Sequence, residues 1–277
     1  MPYLPKTSLR IKRFKSVVED KMLNQHLIQG HQNYQKFVVL ARPRTGSNLL
    51  VSLLQSHPNL RLFYELFNES LSSKTFWDFI NYDIDNVYQY KEEEPVSFLQ
   101  KLVYREMPKS VSGVGFKLFY NHARSSHENQ VWDYLKESKD LNVIHLKRKN
   151  LLKTHLSEQV ALKTQIWVGK KNPSEIYPIE LDYNNTLEFF NHMKEQEEEH
   201  HQFFSNHNIF EVNYEDLVKD IEFYSRKLQA FLKIPYKSLY VSTPKQSSIP
   251  LSQAISNFRE LKERFNGSPW FELFQVS

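Results

Sequence analysis

The sequence lacks cysteine and is poor in glycine. The absence of cysteine among 277 residues excludes disulfide frameworks, thiolate zinc sites, iron–sulfur clusters and cysteine nucleophiles. Six glycines occur, and their spacing forms neither the GxGxxG loop of Rossmann sites nor the GxxxxGK loop of Walker sites. The sequence therefore excludes these two kinds of nucleotide site.

Long hydrophobic runs are also missing. No apolar stretch approaches the roughly 20 residues that a membrane-spanning helix needs, and the amino terminus lacks the apolar segment and cleavage site of a signal peptide. Hydrophobic residues make up 40% of the chain and charged residues 25%, a balance typical of folded globular proteins. We therefore expect a folded, cytoplasmic protein without a transmembrane segment.

The excess of positive charge is small, with 36 Lys and Arg residues against 32 Asp and Glu residues. Nucleic-acid binding needs a concentrated basic face, so we predict no nucleic-acid partner. Residues 1–35 form the one markedly basic stretch, because five basic residues precede the first acid: Lys6, Arg10, Lys12, Arg13 and Lys15. We predict a peripheral arm or cap there, either a solvated edge helix or a segment that contacts substrate or a membrane surface. We interpret residues 36–277 as a single domain.

Short apolar runs alternate with segments of helical periodicity. The runs cover residues 36–41, 113–119, 141–146 and 208–212. The helical segments include one that starts at Ser47 and is ended by His57-Pro58, and residues 130–136, 150–164, 181–204 and 251–265. Buried strands that alternate with helices are typical of an α/β fold with a parallel sheet. The segment Tyr214-Glu215-Asp216-Leu217 follows the last run and is predicted as a structural strand-to-helix corner.

The loop at residues 43–48 is the strongest chemical signal in the chain. It joins a predicted strand to a predicted helix, a place where successive backbone N–H groups and the helix dipole favour an anion. The loop offers a guanidinium suited to phosphate or sulfate, hydroxyl donors and a glycine that permits close approach, from Arg44, Thr45, Gly46, Ser47 and Asn48. We predict an oxyanion site; a plain surface turn is the alternative.

The segment PRTGSNLLVSLLQSHPNL resembles the 5′-phosphosulfate loop and following helix of sulfotransferases that use 3′-phosphoadenosine-5′-phosphosulfate (PAPS). Arg44 takes the position of that loop's basic residue. A second segment, VIHLKRKNLLKTHLS, resembles the family's 3′-phosphate segment, in which a basic residue after a strand is followed by a serine. The resemblance implies that Ser157 and either Arg148 or Lys149 hold the 3′-phosphate, and that Lys245 approaches the nucleotide from a late loop.

Further segments, among them FYELFN, GFKLFY and HLKRKNLL, are most similar to bacterial carbohydrate sulfotransferases of the nodulation-factor, glycolipid and trehalose group. The resemblance implies a P-loop-like three-layer sandwich with a central, mainly parallel sheet flanked by helices. It also implies sulfuryl transfer from PAPS to a hydroxyl of a carbohydrate or glycolipid acceptor, release of adenosine 3′,5′-bisphosphate, and no metal requirement.

Glu65 stands in the position of the family's catalytic carboxylate, and we assign it as the general base. Flanking aromatic residues could raise its pKa by desolvation, which would suit a base. Glu69 and three histidines, at positions 122, 145 and 155, are the rival bases. Lys117 belongs to a predicted buried strand, where an ammonium needs an anionic partner, and we place it near the transferring sulfuryl group. A lysine that reaches solvent at the strand end is the alternative.

Two other functions share these features. A nucleotide-dependent phosphotransferase would use the same strand-loop-helix unit but needs a Walker lysine and a magnesium site, neither of which the sequence offers. A non-catalytic module that binds nucleotides or polyanions would use the same basic loops without turnover.

Overall fold

The computed structural model of the chain describes residues 6–68, 86–167, 178–241 and 249–275, with side chains from Ile11 onward. The described strands are β1 (Gly30–His31), β2 (Gln35–Ala41), β3 (Leu60–Phe63), β4 (Met107–Pro108), β5 (Gly113–Phe119), β6 (Leu141–Lys147) and β7 (Asn208–Asn213). The described helices are α1 (Lys6–Asn24), α2 (Ser47–Gln55), α3 (Val87–Glu93), α4 (Pro95–Phe98), α5 (Gln130–Glu137), α6 (Leu151–Thr164), α7 (Tyr183–Phe203), α8 (Tyr214–Lys219), α9 (Ile221–Phe231), α10 (Leu251–Ala254) and α11 (Phe258–Arg264). A π-helical turn spans Leu99–Val103, and a 3₁₀ turn spans Phe271–Phe274.

Five strands form the central sheet in the order β3-β5-β2-β6-β7, and every pairing in it is parallel. The register sets Val39 of β2 beside Lys117 of β5 and Ile144 of β6. A separate antiparallel pair is formed by β1 and β4. The parallel sheet predicted from the sequence is therefore confirmed.

Strand β2 contributes to a hydrophobic core on each face of the sheet. Val38 and Leu40 belong to the core that also contains residues of α5 and α7, whereas Phe37 and Val39 belong to the core beneath α2, α8 and α9. Because side chains alternate along a strand, this division requires helices on both faces. The predicted three-layer sandwich is confirmed.

The predicted strands agree with the structure to within a residue, but three elements differ from expectation. The sequence did not indicate β3 as a strand or the short β1–β4 pair. The predicted helix at residues 251–265 is divided into α10 and α11, because Ile255 leaves the helix to bridge Ile179. Residues 1–35 contain α1, a 19-residue helix, which agrees with the edge-helix alternative for this segment.

Helix α1 is anchored at the amino end of the sheet by a half-buried ammonium group. Lys12 Nζ donates hydrogen bonds to the carbonyl oxygens of Gln55 at 2.6 Å, His57 at 2.6 Å and Leu60 at 2.8 Å. These carbonyls lie at the end of α2 and the start of β3, on the edge opposite the carboxyl ends of the strands.

None of the helices in the described ranges combines the length and apolar character needed to cross a bilayer.

Candidate active site

The loop between β2 and α2 has an unusual backbone. Arg44 and Gly46 both have positive φ angles, of 68° and 90°. A Cβ atom on Gly46 would lie 2.1 Å from Cδ2 of Tyr214, so both the backbone and the packing require glycine there. No side chain caps the amino end of α2. The first N–H groups of α2 have no partner within the helix and can bind an anion, as the sequence predicts.

One hydroxyl of this loop differs from expectation. We expected Thr45 to donate to an anion, but its Oγ1 donates to the carbonyl oxygen of Arg42 at 2.7 Å. Thr45 is buried, and its hydrogen bond closes the loop on itself. In this arrangement its role is to hold the loop, whereas Ser47, also buried, begins α2.

Two guanidinium groups and a serine meet beside the loop. Arg44 Nε donates to Ser157 Oγ at 2.9 Å, and Arg44 Nη1 donates to the carbonyl oxygen of Trp167 at 2.6 Å. Arg148 Nη1 donates to the carbonyl oxygen of Arg44 at 2.7 Å. Burial lowers the pKa of Arg44, and the charge of Arg148 lowers it further. Two cations held this close repel one another, so an anion bound between them would relieve a real electrostatic cost.

The structure separates the two candidates for the 3′-phosphate. Arg148 has a side chain that is 17% exposed, and its guanidinium lies 5.1 Å from the centre of the Tyr214 ring. Lys149 has a side chain that is 55% exposed, and it forms an ion pair with Asp216 at 2.7 Å. Arg148 donates to the loop, whereas the Lys149 ammonium donates to Asp216, so the arrangement favours Arg148 as the ligand-binding residue.

Glu65, Lys117 and Asn48 form a second cluster on the other side of the amino end of α2. Lys117 Nζ lies 2.6 Å from Glu65 Oε1 and donates to Asn48 Oδ1 at 2.7 Å. Asn68 Nδ2 donates to the second oxygen of Glu65 at 2.6 Å. Lys117 has no solvent exposure, whereas the side chain of Glu65 is 19% exposed. Lys117 is therefore not a strand-end lysine in solvent, and its ammonium faces a carboxylate.

The direction of the Glu65 pKa shift is opposite to the one we expected. Burial alone would raise this pKa, but the charge and hydrogen bond of Lys117, with the amide of Asn68, hold it below its usual value. Burial lowers the pKa of Lys117, although Glu65 acts in the other direction. Glu65 is consequently ionised at neutral pH and able to accept a proton.

The three histidines considered as alternative bases are all buried. Burial lowers the pKa of His122 and of His155 to about 4, and it also lowers the pKa of His145. The Nδ1 atom of His122 accepts from the N–H of Phe119, and His145 Nε2 shares a hydrogen bond of 2.6 Å with the hydroxyl of Tyr120. All three are therefore neutral at pH 7. Glu69 and Lys245 lie outside the described residues.

A group of His145, His201 and Glu211 places one potential metal-ligand atom from each residue within 4.8 Å of the others. The Lys147 ammonium contacts Glu211 in the same group. This cation neutralises the carboxylate that a metal ion would need, and the group carries no step of the chemistry described below.

Sequence reasoning did not find every residue of the site. Tyr214 was interpreted as part of a structural corner, and it does begin α8 directly after β7, but its ring also supports both Gly46 and Arg148. Its position just after a strand in a parallel sheet was a usable signal, because such residues share one edge. No sequence feature of this kind indicated that Asn68 and the carbonyl of Trp167 contact the site.

These groups together can bind an anion through Arg44, Arg148 and Ser157, and they can accept a proton at Glu65. Asn48 connects the two parts, since it lies in the first turn of α2 and contacts Lys117. Comparison with known proteins defines the class: the model of the sulfotransferase family matches residues 36–238. The chain belongs to the sulfotransferase family and is a sulfotransferase enzyme.

Individual relatives carry a common name. Nodulation protein H of Rhizobium tropici is 28% identical over 249 residues, which cover 87% of this chain and 94% of the relative. Nodulation protein H of Rhizobium meliloti is 26% identical over 250 residues, covering 88% of this chain and 96% of the relative.

Two solved structures are similar to the chain in fold. The sulfotransferase from Alicyclobacillus acidocaldarius has a TM-score of 0.45 and 12% identity, and covers 88% of this chain and 96% of its own. Mouse sulfotransferase SULT7A1 complexed with PAP has a TM-score of 0.43 and 13% identity, and covers 94% of each chain.

Proposed function

We propose that this sulfotransferase moves a sulfuryl group from PAPS to a hydroxyl of a carbohydrate or glycoconjugate and releases adenosine 3′,5′-bisphosphate. The observation that carries the proposal is the pair of clusters at the amino end of α2. Arg44, Arg148 and Ser157 form one cluster, and Glu65 with Lys117 forms the other. An anion site beside an ionised carboxylate is the arrangement that this reaction needs.

The donor is held at both of its phosphate ends. Arg44 and the N–H groups of Ser47 and Asn48 bind the 5′-phosphosulfate, because a guanidinium fork and a helix amino terminus both favour tetrahedral oxyanions. Arg148 and Ser157 bind the 3′-phosphate. The hydrogen bond between Arg44 and Ser157 in the free enzyme means that these two residues are already positioned close together. Lys245, outside the described residues, keeps the role near the nucleotide that the resemblance implies.

Glu65 activates the acceptor. Its carboxylate takes the proton of the acceptor hydroxyl while a bond forms between the acceptor oxygen and sulfur. The bond between sulfur and the 5′-phosphate oxygen breaks at the same time, and its electron pair leaves with adenosine 3′,5′-bisphosphate. Lys117 is fully buried and donates to Glu65 and Asn48, and its positive charge acts from behind these two residues to stabilise the charge that develops on the sulfuryl group. No step in this scheme requires a metal ion.

The acceptor class rests on the sequence resemblance to carbohydrate sulfotransferases and on the relatives, which are nodulation proteins. Residues 68–108 and 169–185, where we place acceptor specificity, lie partly outside the described residues. Short oligosaccharides with free hydroxyls are therefore the first acceptors to screen with sulfur-labelled PAPS.

Calorimetric titration in the presence of EDTA tests the donor site. We expect adenosine 3′,5′-bisphosphate to bind with micromolar or tighter affinity and adenosine 5′-monophosphate to bind at least roughly tenfold more weakly, because Arg148 and Ser157 then lose their ligand. Ser157→Ala should reduce this preference, whereas Ser16→Ala in α1 should preserve it. Equal affinity for both nucleotides, or binding that requires a divalent metal, would overturn the proposal.

A further inference from the structure

Helix α1 has one face that packs on the domain and one that faces solvent. The packed face holds Lys12 and the two acidic residues of the helix, Glu19 and Asp20. Glu19 pairs with Arg61 at 3.0 Å, and Asp20 pairs with Arg105 at 3.1 Å. Glu19 also lies 3.6 Å from Lys15 of the same helix, where the Glu19 side chain is 21% exposed and that of Lys15 is 72% exposed. The acidic groups of α1 are thus paired and mostly covered by the protein.

The solvent face carries apolar side chains at helical spacing. Ile11 is 64% exposed, Phe14 is 72% exposed and Val18 is 39% exposed. Residues separated by three and four positions are neighbours on a helix surface, so these three form a continuous stripe, here called the α1 stripe. Large apolar side chains that are exposed singly are common, but a contiguous stripe on one helix indicates a partner.

Basic residues border the α1 stripe. Arg13, Lys15 and Lys21 are exposed, and no acidic residue of α1 is exposed in its described part, residues 11–24. An open groove beside the end of the helix is lined by Lys21 and Lys109, and the exposed carboxylate of Glu106 also lies in it. The solvent face therefore combines apolar surface with positive charge, which is the pattern of helices that lie in the plane of a lipid interface.

We propose that α1 docks the enzyme on an anionic lipid surface. The α1 stripe enters the boundary between headgroups and acyl chains, while Lys15 and Lys21 contact anionic headgroups. Charge complementarity favours this partner over a second copy of the chain, because two copies joined through the stripe would bring like charges together.

The position of α1 separates this property from catalysis. Lys12 fixes the helix to the amino end of the sheet, whereas Arg44 and Glu65 follow the carboxyl ends of β2 and β3. A docked enzyme therefore keeps its donor site open to water, and substitutions in the α1 stripe leave nucleotide binding unchanged. Failure of the donor-site proposal and failure of the docking proposal are thus measured separately.

Vesicle co-sedimentation of the full chain tests the proposal. Vesicles of phosphatidylcholine with about 30 mol% phosphatidylserine should bind the enzyme, and phosphatidylcholine vesicles should bind it roughly tenfold or more weakly. Adding salt should weaken binding, because the headgroup contact is electrostatic.

Three variants separate the two contributions. The double variant Ile11→Ser, Phe14→Ser should lose roughly tenfold or more in vesicle affinity, since the apolar insertion is removed. Lys15→Gln should lose about fivefold. Phe223→Ser removes an aromatic side chain of α9 that is 44% exposed, and this variant should bind vesicles as the unaltered enzyme does. Affinity for adenosine 3′,5′-bisphosphate should be equal in all three.

The proposal is overturned if anionic and neutral vesicles bind equally, or if the double variant binds as tightly as the unaltered enzyme. Light scattering after size exclusion provides a further check. A dimer that becomes a monomer in the double variant would identify the α1 stripe as a contact between copies and would also overturn docking on lipid.

Discussion

Replacement of Glu65 by glutamine is the sharpest test of the proposed chemistry. Gln has nearly the same shape but cannot take a proton from the acceptor hydroxyl, so we expect kcat to fall by roughly 100-fold or more. Donor affinity should stay within roughly twofold, because Glu65 contacts Lys117 and Asn68, whereas the donor-binding residues Arg44, Arg148 and Ser157 belong to the other cluster.

The same substitution has a calculable effect on stability. Removing one partner of a fully buried ion pair costs about 3–5 kcal/mol. The side chain of Glu65 is 19% exposed, and the amide oxygen of Gln can still accept from Lys117, so we expect the free energy of unfolding to fall by roughly 1–3 kcal/mol. Such a loss leaves most domains folded at 25 °C.

The assay is initial-rate sulfuryl transfer from labelled PAPS to an acceptor found in the oligosaccharide screen, combined with calorimetry for donor binding. Glu19→Gln is the matched control, because that carboxylate is 21% exposed and is also paired, with Arg61 in place of Lys117. Full activity of Glu65→Gln would refute the base assignment. Equal rate losses in both variants would show that disturbing an ion pair, and not removing a base, reduces activity.

Three further outcomes follow from the geometry. Arg148→Ala should weaken the affinity for adenosine 3′,5′-bisphosphate, measured by calorimetry, by roughly tenfold or more, whereas Lys149→Ala should change it by less than about twofold. The reverse order would assign the 3′-phosphate to Lys149. Gly46→Ala should lower the free energy of unfolding in urea by roughly 2 kcal/mol or more, because the added methyl group meets the Tyr214 ring. Gly267 also has a positive φ but open space around it, so Gly267→Ala should cost only about 1 kcal/mol. Similar losses in the two variants would contradict the packing argument. His155 has a pKa of about 4 when folded against 6.5 when unfolded, so its contribution is present above pH 6.5 and is lost as the pH falls toward 4. His155→Leu should therefore remove roughly 2 kcal/mol of the stability difference between pH 7 and pH 5, and an unaltered difference in urea titrations would exclude this residue as its source.

The sequence predicts the sheet well because its central strands are buried on both faces. Residues 113–119 and 141–146 are nearly continuous apolar runs, and such runs occur where helices cover both sides of a strand. Strand β3 (Leu60–Phe63) was not predicted, because it has only four residues and directly follows a helix and turn. Helix α1 was one of two alternatives for residues 1–35, because its helical periodicity is weak: Lys12, which fixes its buried face, counts as polar.

The sequence predicts the individual segments of the candidate site, but not the contacts between their side chains. The loop around Arg44 has a local signature, because a strand, a glycine and a helix start stand in sequence. The choice between Arg148 and Lys149 depends on which side chain turns toward that loop, and adjacent residues give no signal for direction. The pKa of Glu65 depends on Lys117, which is 52 positions away and meets it only after β3 and β5 pair.

The order of strands in the sheet also bears on synthesis of the chain. Strand β2 is central, yet Gln35 pairs with Gly113, which is made 78 residues later, and Lys36 pairs with Leu141, made later still. At about 5–20 residues per second, a ribosome leaves β2 without a neighbour on either side for about 4–16 s. Nascent chains that end before residue 113 therefore expose an apolar strand with two unsatisfied edges, and we expect holding chaperones to bind them until β5 emerges.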